Sequence, residues 1–464
     1  MNSFGGVLMK VKLKKASSGE VNLTEGSILQ GLVIFSIPLL LSSLLQQFYN
    51  TADLMIVGKF AGKNPMAAVG ASGALSNLLI GLFLGLTTGA SVVVAQVYGK
   101  GDREEIQDAV HTSYAIAIVG GIIISIIGVL VAPTILGFLN TPDEILKHAT
   151  VYMRILFLGM TPILVFNMGS GILRSIGDSR RPFNFLCVAA SINIILDLVF
   201  VIIFKLSVLG VGIATLIAQT VSAILVTYNL MKSEREFKLD LKQIKFHKHI
   251  MVRIFQIGIP TGVQSSVISF SNVIIQSKVN LFGASAIAGY AAQERLDGFI
   301  FMSLNALSLA ATTFSGQNIG AGKVERLKSG VRLSIALSLV VSITLSVLGR
   351  VFIIELMSIF SNEPDVIEVG ATAFRYLSAG YFIFGISEIL GGFVRGAGYA
   401  VPPMVISVFS MCILRLVWIF VALNIWFKID VVFLSYPISW TTTLLLNVLY
   451  FKFGNWRSSF KEAY

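Results

Sequence analysis

The sequence predicts an all-α membrane protein made of two copies of a six-helix unit. Of its 464 residues, 55% are hydrophobic and only 13% are charged, whereas an ordinary soluble domain has about 25% charged residues. Apolar runs long enough to cross about 30 Å of hydrocarbon as helices occur twelve times. A third observation is an internal repeat, which holds one register of 221 residues across a half-chain. The repeated pairs include Gln96 and Gln317, Gly99 and Gly320, Gly159 and Gly380, Arg174 and Arg395, and Pro182 and Pro403.

The predicted spans follow the apolar runs in order. Several exceed the roughly 20 residues that a straight crossing needs, so we expect tilt, kinks or extension beyond the bilayer. The twelve spans are 29–57, 66–97, 111–139, 148–173, 183–204, 208–231, 253–282, 286–317, 331–360, 370–394, 402–426 and 430–451.

Positive charge sets the orientation of these spans. Most of the 35 Lys and Arg residues fall in the terminal segments and in the loops that follow even-numbered spans, and this bias marks the cytoplasmic side. Both termini are therefore predicted to be cytoplasmic, and the two halves form a parallel repeat. The predicted divisions are an N-terminal segment (1–27), a first bundle (28–231), a cytoplasmic connector (232–252), a second bundle (253–451) and a cytoplasmic tail (452–464).

The loops and cysteines exclude several other classes of protein. The net charge of +11 lies in short segments between apolar runs, which fits membrane topology better than nucleic acid binding. Cys187 and Cys412 have no metal-ligand or disulfide spacing, and no cleaved signal peptide is expected in 1–27. The connector 232–249 has helix-like charge spacing, so we expect an amphipathic connector on the inner membrane face, with a regulatory site as the alternative.

Few ionisable side chains lie within the predicted spans, where each costs about 2.5 to 3.5 kcal/mol on insertion scales. Gln46, Asn50 and Asp53 share one face of the first span, and Asn193 and Asp197 share one face of the fifth. Two carboxylates with neutral oxygens nearby predict a site for Na⁺ or for a proton. The alternatives are that Asp53 is wet near the outer interface and that Asp197 only bonds to a helix neighbour.

Pro38 lies in the middle of the first span, before Asp53. It removes one backbone hydrogen bond and permits a kink. We therefore expect a hinge that couples ion binding to bending of this helix, with a static membrane proline as the alternative.

The second half carries no acid at the position equivalent to Asp197. Its strongest candidate acid is Glu388, which takes the repeat position of Asn167 in the tenth span. The alternative for Glu388 is a structural ion pair with an arginine such as Arg295 or Arg415.

Two further polar groups lie in the second half. A stripe along the seventh span has helical spacing and should line water or substrate rather than lipid. Its members are Gln264, Ser265, Ser269, Asn272 and Gln276. Glu294, Arg295 and Asp297 cluster in the eighth span, where we expect them largely to satisfy one another.

Several segments resemble one transporter family and together cover nearly the whole chain. They are FSIPLLLSSLLQQFYNTADLMIVGKF, AAVGASGALSNLLIGLFLGLTTGASVVVAQVYGKGD, GILRSIGDSRRP, INIILDLVFV and GVGIATLIAQ, with the repeats GQNIGAG and FVRGAG. The sequence resembles the multidrug and toxic compound extrusion (MATE) transporters. The resemblance implies two six-helix bundles, V-shaped around a central cavity, that export mostly cationic drugs in exchange for H⁺ or Na⁺. It also implies a multi-pass protein of a bacterial or archaeal plasma membrane.

Prokaryotic members of this family hold a cation site in the first bundle. The resemblance places that site, as a possible Na⁺ site, at Asp53, Asn193, Asp197 and Thr215. It also matches Pro38 to the kinking proline of the first helix. Ile268 and Phe384 stand where one branch of the family carries acids, so the DinF-like arrangement, with its essential acids in the first bundle, is favoured.

The remaining expectations concern substrate and partners. We expect a monomer that uses no cofactor beyond its coupling ion and that binds small organic, often cationic, substrates. The predicted cavity residues are Gln46, Asn50, Asn167, Gln264, Asn272 and Glu388.

Three other functions are weaker predictions. The nearest alternative is a flippase for lipid-linked saccharides, of the same broad superfamily, which would require a cavity rich in Arg and Lys for phosphate. An enzyme is not expected, because the chain has no H-E-x-x-H, G-x-S-x-G or Asp-rich metal motif. A passive channel would not need a two-lobed repeat with buried carboxylates.

Overall fold

The structure is a computed structural model that describes residues 20–138 and 141–460. Most of the predicted N-terminal segment and the last four residues of the predicted tail lie outside the described residues. In the described part the chain forms helices and no strand. The helices are α1 (Ile28–Phe60), α2 (Lys63–Lys100), α3 (Arg103–Phe138), α4 (Asp143–Leu158), α5 (Met160–Ser175), α6 (Arg180–Leu198), α7 (Ser207–Met231), α8 (Lys248–Val279), α9 (Ala284–Gly320), α10 (Val324–Val351), α11 (Ile353–Ser358), α12 (Pro364–Ser378), α13 (Tyr381–Gly396), α14 (Val401–Ser407), α15 (Arg415–Ile425) and α16 (Ile429–Phe453).

The described helices confirm an all-α membrane fold. Eight are long and apolar enough to cross a membrane, and two bent pairs, α4 with α5 and α12 with α13, bring that number to ten. The twelve predicted units are completed by α2 and α8, which have 38 and 32 residues. The predicted polar stripe lies on α8 and lowers its hydropathy.

The fourth and tenth spans are bent at equivalent positions. The axes of α4 and α5 differ by 43° at Gly159, and those of α12 and α13 differ by 48° beside Gly380. Because these glycines are one of the repeated pairs, the bend belongs to the duplicated unit. The two predicted single spans are thus broken helices, and the predicted span 331–360 also breaks, at Phe352.

The fifth and eleventh spans share another irregularity. A π-helical segment, Val199–Ile203, continues α6, and a second one, Val408–Leu414, joins α14 to α15. Such segments are rare in helices and occur frequently at functional sites.

The connector does not form the helix that its charge spacing suggests. It is largely irregular, with one short 3₁₀ turn at Leu241–Gln243. Phe237 and Leu239 are fully buried, and the backbone N–H of Asp240 donates to Nε2 of His111 at 3.1 Å. The i, i+2 spacing of the two buried side chains suits an extended chain that packs against α3.

The two halves meet along α2 and α8, where glycines let the backbones touch. A Cβ atom at Gly85 would lie 2.3 Å from the nitrogen of Gly262, and one at Gly89 would lie 2.4 Å from the oxygen of Ile254. On α8, Gly258 and Gly262 repeat the four-residue spacing of Gly85 and Gly89. Small residues at this spacing allow close packing of helices in membranes.

A second contact between the halves is reciprocal. Nε2 of Gln96 donates to the carbonyl oxygen of Gly396 at 2.9 Å, and Nε2 of Gln317 donates to the carbonyl oxygen of Ser175 at 2.6 Å. Both the donors and the acceptors are 221 residues apart. We call these two hydrogen bonds the reciprocal contact. It gives the repeated glutamines a common structural role.

The repeated glycines Gly99 and Gly320 belong to the same contact. A Cβ atom at Gly99 would lie 2.1 Å from the backbone oxygen of Gln317, and one at Gly320 would lie 1.9 Å from the backbone oxygen of Gln96. Backbone atoms cannot rotate away as a flexible side chain can. Both positions therefore require glycine when the halves are joined in this way.

Residues 20–27 form a strap between the two halves. On the first half, the N–H of Val21 donates to the carbonyl oxygen of Gly177 at 3.0 Å, and Glu20 pairs with Arg181 at 3.7 Å. Glu20 also pairs with Arg235 of the connector. The strap therefore begins on the first half.

On the second half, the carbonyl oxygens of the strap accept hydrogen bonds from three side chains. Asn318 donates to Leu23 at 3.1 Å, Lys323 donates to Thr24 at 3.0 Å, and Arg326 donates to three carbonyl groups at 2.7 to 3.1 Å. Leu23 is only 1% exposed. The strap, the connector and the reciprocal contact share one side of the molecule, which we call the connector side.

Candidate functional site

Four of the predicted site residues meet between α1, α6 and α7. The exposed fractions of Asp53, Asn193 and Asp197 are 6%, 2% and 0%, and the carboxyl groups of the two aspartates are near enough to interact directly. Nδ2 of Asn193 donates to Oγ1 of Thr215 at 3.5 Å. We call these four residues the acidic cluster.

Four oxygens of the acidic cluster lack hydrogen-bond donors. Among the described residues, Oδ1 and Oδ2 of Asp197, Oδ1 of Asp53 and Oδ1 of Asn193 have no partner. No salt bridge in the described ranges reaches either carboxylate. An ionised carboxylate only accepts hydrogen bonds. Two facing carboxylates therefore need a proton or a metal cation between them.

This geometry removes both alternatives raised by the sequence. Asp53 is buried rather than wet, and Asp197 has no bond to a helix neighbour within the described chain. No group of three or more His, Cys, Asp or Glu side chains that could hold a metal ion occurs in 20–138 and 141–460. The donor set of the acidic cluster is two carboxylates, one amide oxygen and one hydroxyl, which suits a hard monovalent cation or a proton better than a transition metal.

Helix α1 is shared between the two halves. Near its start, Phe35 and Leu39 pack in one cluster with Phe314 of α9. Further along, Tyr49 packs against α6, and Val57 packs with residues of α4 and α7. The acidic cluster therefore lies on the part of α1 that belongs to the first bundle.

Pro38 lies shortly before α1 crosses from the second half to the first, between Phe35 and Leu39. The helix is continuous through it. Because proline has no N–H, the carbonyl group of Ile34 lacks its usual helical donor. A missing backbone hydrogen bond thus lies close to the change of packing partner.

A cavity of about 460 Å³ lies mostly in the second half. The first half contributes Thr88 of α2. Its aromatic walls are Phe301, Phe384, Tyr436 and Trp440. Its charged and amide side chains are Gln264, Asn272, Asn305, Glu388, Arg395 and Arg415. The volume and the lining of this cavity are typical of binding sites for small organic molecules.

The structure brings together half of the predicted cavity residues. Gln264, Asn272 and Glu388 line the cavity, and Nε2 of Gln264 donates to Oγ of Ser407 at 3.0 Å. The other three are not among its described lining residues. Gln46 and Asn50 are exposed on α1, and Asn167 is half-buried on α5.

Glu388 is paired, although with neither arginine named from the sequence. Its Oε2 lies 3.3 Å from Nη2 of Arg395, which also donates to Oγ of Ser308 at 3.0 Å. The alternative raised from the sequence, an ion pair with an arginine, is therefore present, although its partner is Arg395 and neither Arg295 nor Arg415. Arg395 lies on the same helix, one turn beyond the nearest helical neighbours, and its side chain reaches back along that helix to Glu388.

The charged residues of the eighth span, Glu294, Arg295 and Asp297, also differ from the prediction in their partners. Asp297 is buried and accepts a hydrogen bond from the hydroxyl group of Tyr381. Glu294 and Arg295 are exposed. The expectation of mutual pairing is wrong for Asp297, because residues two apart on a helix do not face each other.

Sequence reasoning missed Arg415 as a cavity residue. It is 3% exposed, and its Nε and Nη2 donate to Oγ of Ser439 at 2.9 and 2.7 Å. Its guanidinium lies 4.2 Å from the centre of the Tyr436 ring. The signal was available, since a lone arginine inside an apolar span is costly and is usually functional.

Comparison with known proteins agrees with the fold and with the repeat. The family model MatE matches residues 38–199 and again residues 260–421. A probable multidrug resistance protein, YoeA of Bacillus subtilis (strain 168), is 28% identical over 93% of this chain and 95% of its own length. The probable multidrug resistance protein NorM of Thermotoga maritima is 26% identical over 92% of both chains.

A solved structure of a multidrug resistance MATE family transporter in an outward-facing conformation superimposes with a TM-score of 0.88. It covers 96% of this chain and 99% of that chain at 21% identity. A MATE structure in a bent conformation matches with the same TM-score and coverage. The family model matches well over half of the residues, in two successive copies. This multi-pass membrane protein is therefore a transporter of the MatE family, the multidrug and toxic compound extrusion proteins.

Proposed function

We propose that the protein is an antiporter that exports bulky aromatic compounds, mostly organic cations, in exchange for H⁺ or Na⁺. The observation that carries this proposal is the acidic cluster, in which two buried carboxylates face each other without a donor. Such a pair is stable only when a cation occupies it or one carboxyl is protonated. The cluster can therefore release and bind a cation as its exposure to the two sides of the membrane changes.

Two further findings support this proposal. The relatives named above are multidrug resistance proteins, and the cavity has the volume and aromatic lining that drug-sized molecules require. A flippase for lipid-linked saccharides would need a cluster of basic residues for phosphate groups. The described cavity has two arginines, one of which is paired with Glu388.

Coupling would pass through α1. A cation in the acidic cluster removes the repulsion between Asp53 and Asp197, and so draws the first-bundle part of α1 towards α6. The same helix packs on the second half around Pro38, through Phe35 and Leu39. One charge that crosses 100 mV supplies only about 2.3 kcal/mol, so the link between cluster and cavity must be tight. We propose that the connector side faces the cytoplasm of a prokaryotic cell, because the loops that carry most of the Lys and Arg residues lie on that side.

Proteoliposomes loaded with a fluorescent organic cation test this proposal. An inward Na⁺ gradient and an inward proton gradient are imposed one at a time, and efflux is compared with gradient-free vesicles. We expect one gradient to accelerate efflux and thereby to identify the coupling ion. Efflux that responds to neither gradient, in a protein that binds the dye, would contradict antiport.

Replacement of Glu388 by glutamine is expected to change the substrate preference more than the coupling. The change leaves Arg395 without its carboxylate and makes the cavity more positive. A carboxylate about 4 Å from a monovalent cation contributes about 1 kcal/mol to its binding in water and about 4 kcal/mol in partly desolvated surroundings. Efflux of a cationic dye should therefore fall more than efflux of a neutral one. Glu368→Gln, at an exposed position on α12, is the matched control, and equal losses for both dyes would make Glu388 a coupling acid.

A further inference from the structure

Arg415 is a buried cation that has no acidic partner. No carboxylate in residues 20–138 and 141–460 forms a salt bridge with it. Its only hydrogen-bond acceptor in the described structure is the hydroxyl group of Ser439, and one face of its guanidinium lies against Tyr436. A buried charge is costly unless it is paired. The remaining donors of Arg415 adjoin the cavity, so a group that enters the cavity can satisfy them.

The charges that line the cavity sum to a positive value. Glu388 and Arg395 neutralise each other at 3.3 Å, which leaves Arg415 as the excess charge. The guanidinium is held at one edge by Ser439 and on one face by Tyr436, so its direction is fixed before any ligand arrives. Such a fixed, planar donor binds a carboxylate or phosphate oxygen with little loss of conformational entropy.

The aromatic walls lie beside this cation. Trp440, Phe301 and Phe384 pack edge to face or tilted, with ring centres 5.1 to 6.1 Å apart. Together with Tyr436 they present ring surface to the same cavity as Arg415. A ligand that fills the cavity would therefore place an aromatic body on these rings and an anionic group at Arg415.

The repeat gives an independent observation. The fifth span of the first half, α6, presents Asn193 and Asp197 to the interior of its bundle. The equivalent eleventh span, α14 and α15, presents Arg415. Both spans contain a π-helical segment. The π-helical segments and the charged side chains stand at different positions of the repeat, but the two spans carry opposite charge into their bundles, so that one half faces a cation and the other faces an anion.

We propose that Arg415 is the binding site for an anionic group of the transported compound, and that the substrates include aromatic molecules that carry a carboxylate or a phosphate. This inference rests on the proposed role of the cavity as the substrate site. It extends that role from organic cations to aromatic anions and zwitterions. Ser439 and Tyr436 orient Arg415 and are positioning residues.

A matched pair of dyes tests this inference by equilibrium binding to the full chain in nanodiscs, with no ion gradient. Rhodamine B and its ethyl ester share one aromatic body and differ by one carboxylate. The measured quantity is the ratio of the dissociation constant of the ester to that of the acid, corrected with empty nanodiscs. We expect Arg415→Gln to lower this ratio about tenfold or more and Arg415→Lys to lower it less.

The control variant is Arg350→Gln. Arg350 also donates to a serine hydroxyl, that of Ser378 at 2.7 Å, but it does not line the described cavity. It should leave the ratio unchanged. A ratio that is the same in the wild type and in Arg415→Gln, or equal weakening of both dyes by Arg415→Gln, would assign Arg415 a structural role and overturn the proposal.

A competition experiment on the wild type does not depend on the folding of any variant. We expect 2-naphthoate to displace rhodamine B and the uncharged 2-naphthamide to do so at least about tenfold less well. Equal displacement by both would overturn the proposal. Displacement by farnesyl diphosphate but not by 2-naphthoate would also overturn it, in favour of a lipid phosphate. Because no gradient is present, these results are independent of whether export is coupled to Na⁺ or H⁺.

Discussion

Replacing Asp197 with asparagine is expected to reduce gradient-driven export to the level of protein-free vesicles. The new amide group can donate a hydrogen bond to Asp53, so the pair no longer needs a cation to be satisfied. The fold should persist, because the shape of the side chain is unchanged. Asp53→Asn is expected to act in the same way, since either substitution leaves a single carboxylate with a donor beside it.

Thermal unfolding gives a second readout of the same substitution. A ligand present at 100 times its dissociation constant stabilises the folded state by about 2.7 kcal/mol. The melting temperature of the wild type should therefore rise with the coupling ion, and that of Asp197→Asn should not respond. Glu144→Gln, at an exposed position on α4, is the control. Full export or an intact ion response in Asp197→Asn would rule out the acidic cluster as the coupling site.

Alanine at Gly320 is expected to prevent the two halves from closing on the connector side. The added Cβ atom would lie 1.9 Å from a backbone oxygen of Gln96, so α2 and α9 must separate. Overpacking of this kind costs about 1 to 3 kcal/mol, which shifts a two-state equilibrium about five- to more than a hundredfold. The reciprocal contact would be lost together with the close approach.

Distances between spin labels at Glu104 and Glu325 measure this effect, in a background without Cys187 and Cys412. Both labelled positions are exposed near the connector side. The distance distribution should move to longer values in Gly320→Ala. Gly298→Ala is a matched control on the same helix, because a Cβ atom there has nothing within 4 Å. An unchanged distribution in Gly320→Ala would show that the connector side closes without the glycine contact.

Much of the fold follows from the sequence, because length and apolarity alone determine a membrane span. The repeated glycines Gly159 and Gly380 were visible as a pair, yet their bends were not, since a glycine in a span can serve packing as well as bending. The backbone of the connector could not be deduced for a different reason. Its charges have helical spacing, whereas its structure is determined by the burial of Phe237 and Leu239.

The candidate site was predictable where one helix carries it. The spacing of Asn193 and Asp197 places them on one face, and the structure keeps them together. How α1 is divided between the two halves could not be deduced, because tertiary packing decides it. Partners of buried charges were the least predictable feature, as Arg395 and Tyr381 show. Arg395 reaches along α13 to Glu388, two turns away, and Tyr381 reaches from α13 to Asp297 of α9. The sequence pattern contains neither contact.

The strap has a kinetic consequence. The hydrogen bonds described between the strap and the second half are all accepted by backbone carbonyl groups of the strap. Water can replace each donor when the two halves separate. Each hydrogen bond therefore contributes about 0.5 to 1.5 kcal/mol or less to the equilibrium between the closed and open connector side. They must nevertheless break before the connector side opens. The burial of Leu23, worth about 1.5 to 3 kcal/mol, has no substitute in water, and Val21 packs against the same cluster. The strap should thus slow the opening of the connector side, while the apolar burial of its side chains, chiefly Leu23, determines how strongly it favours the closed state.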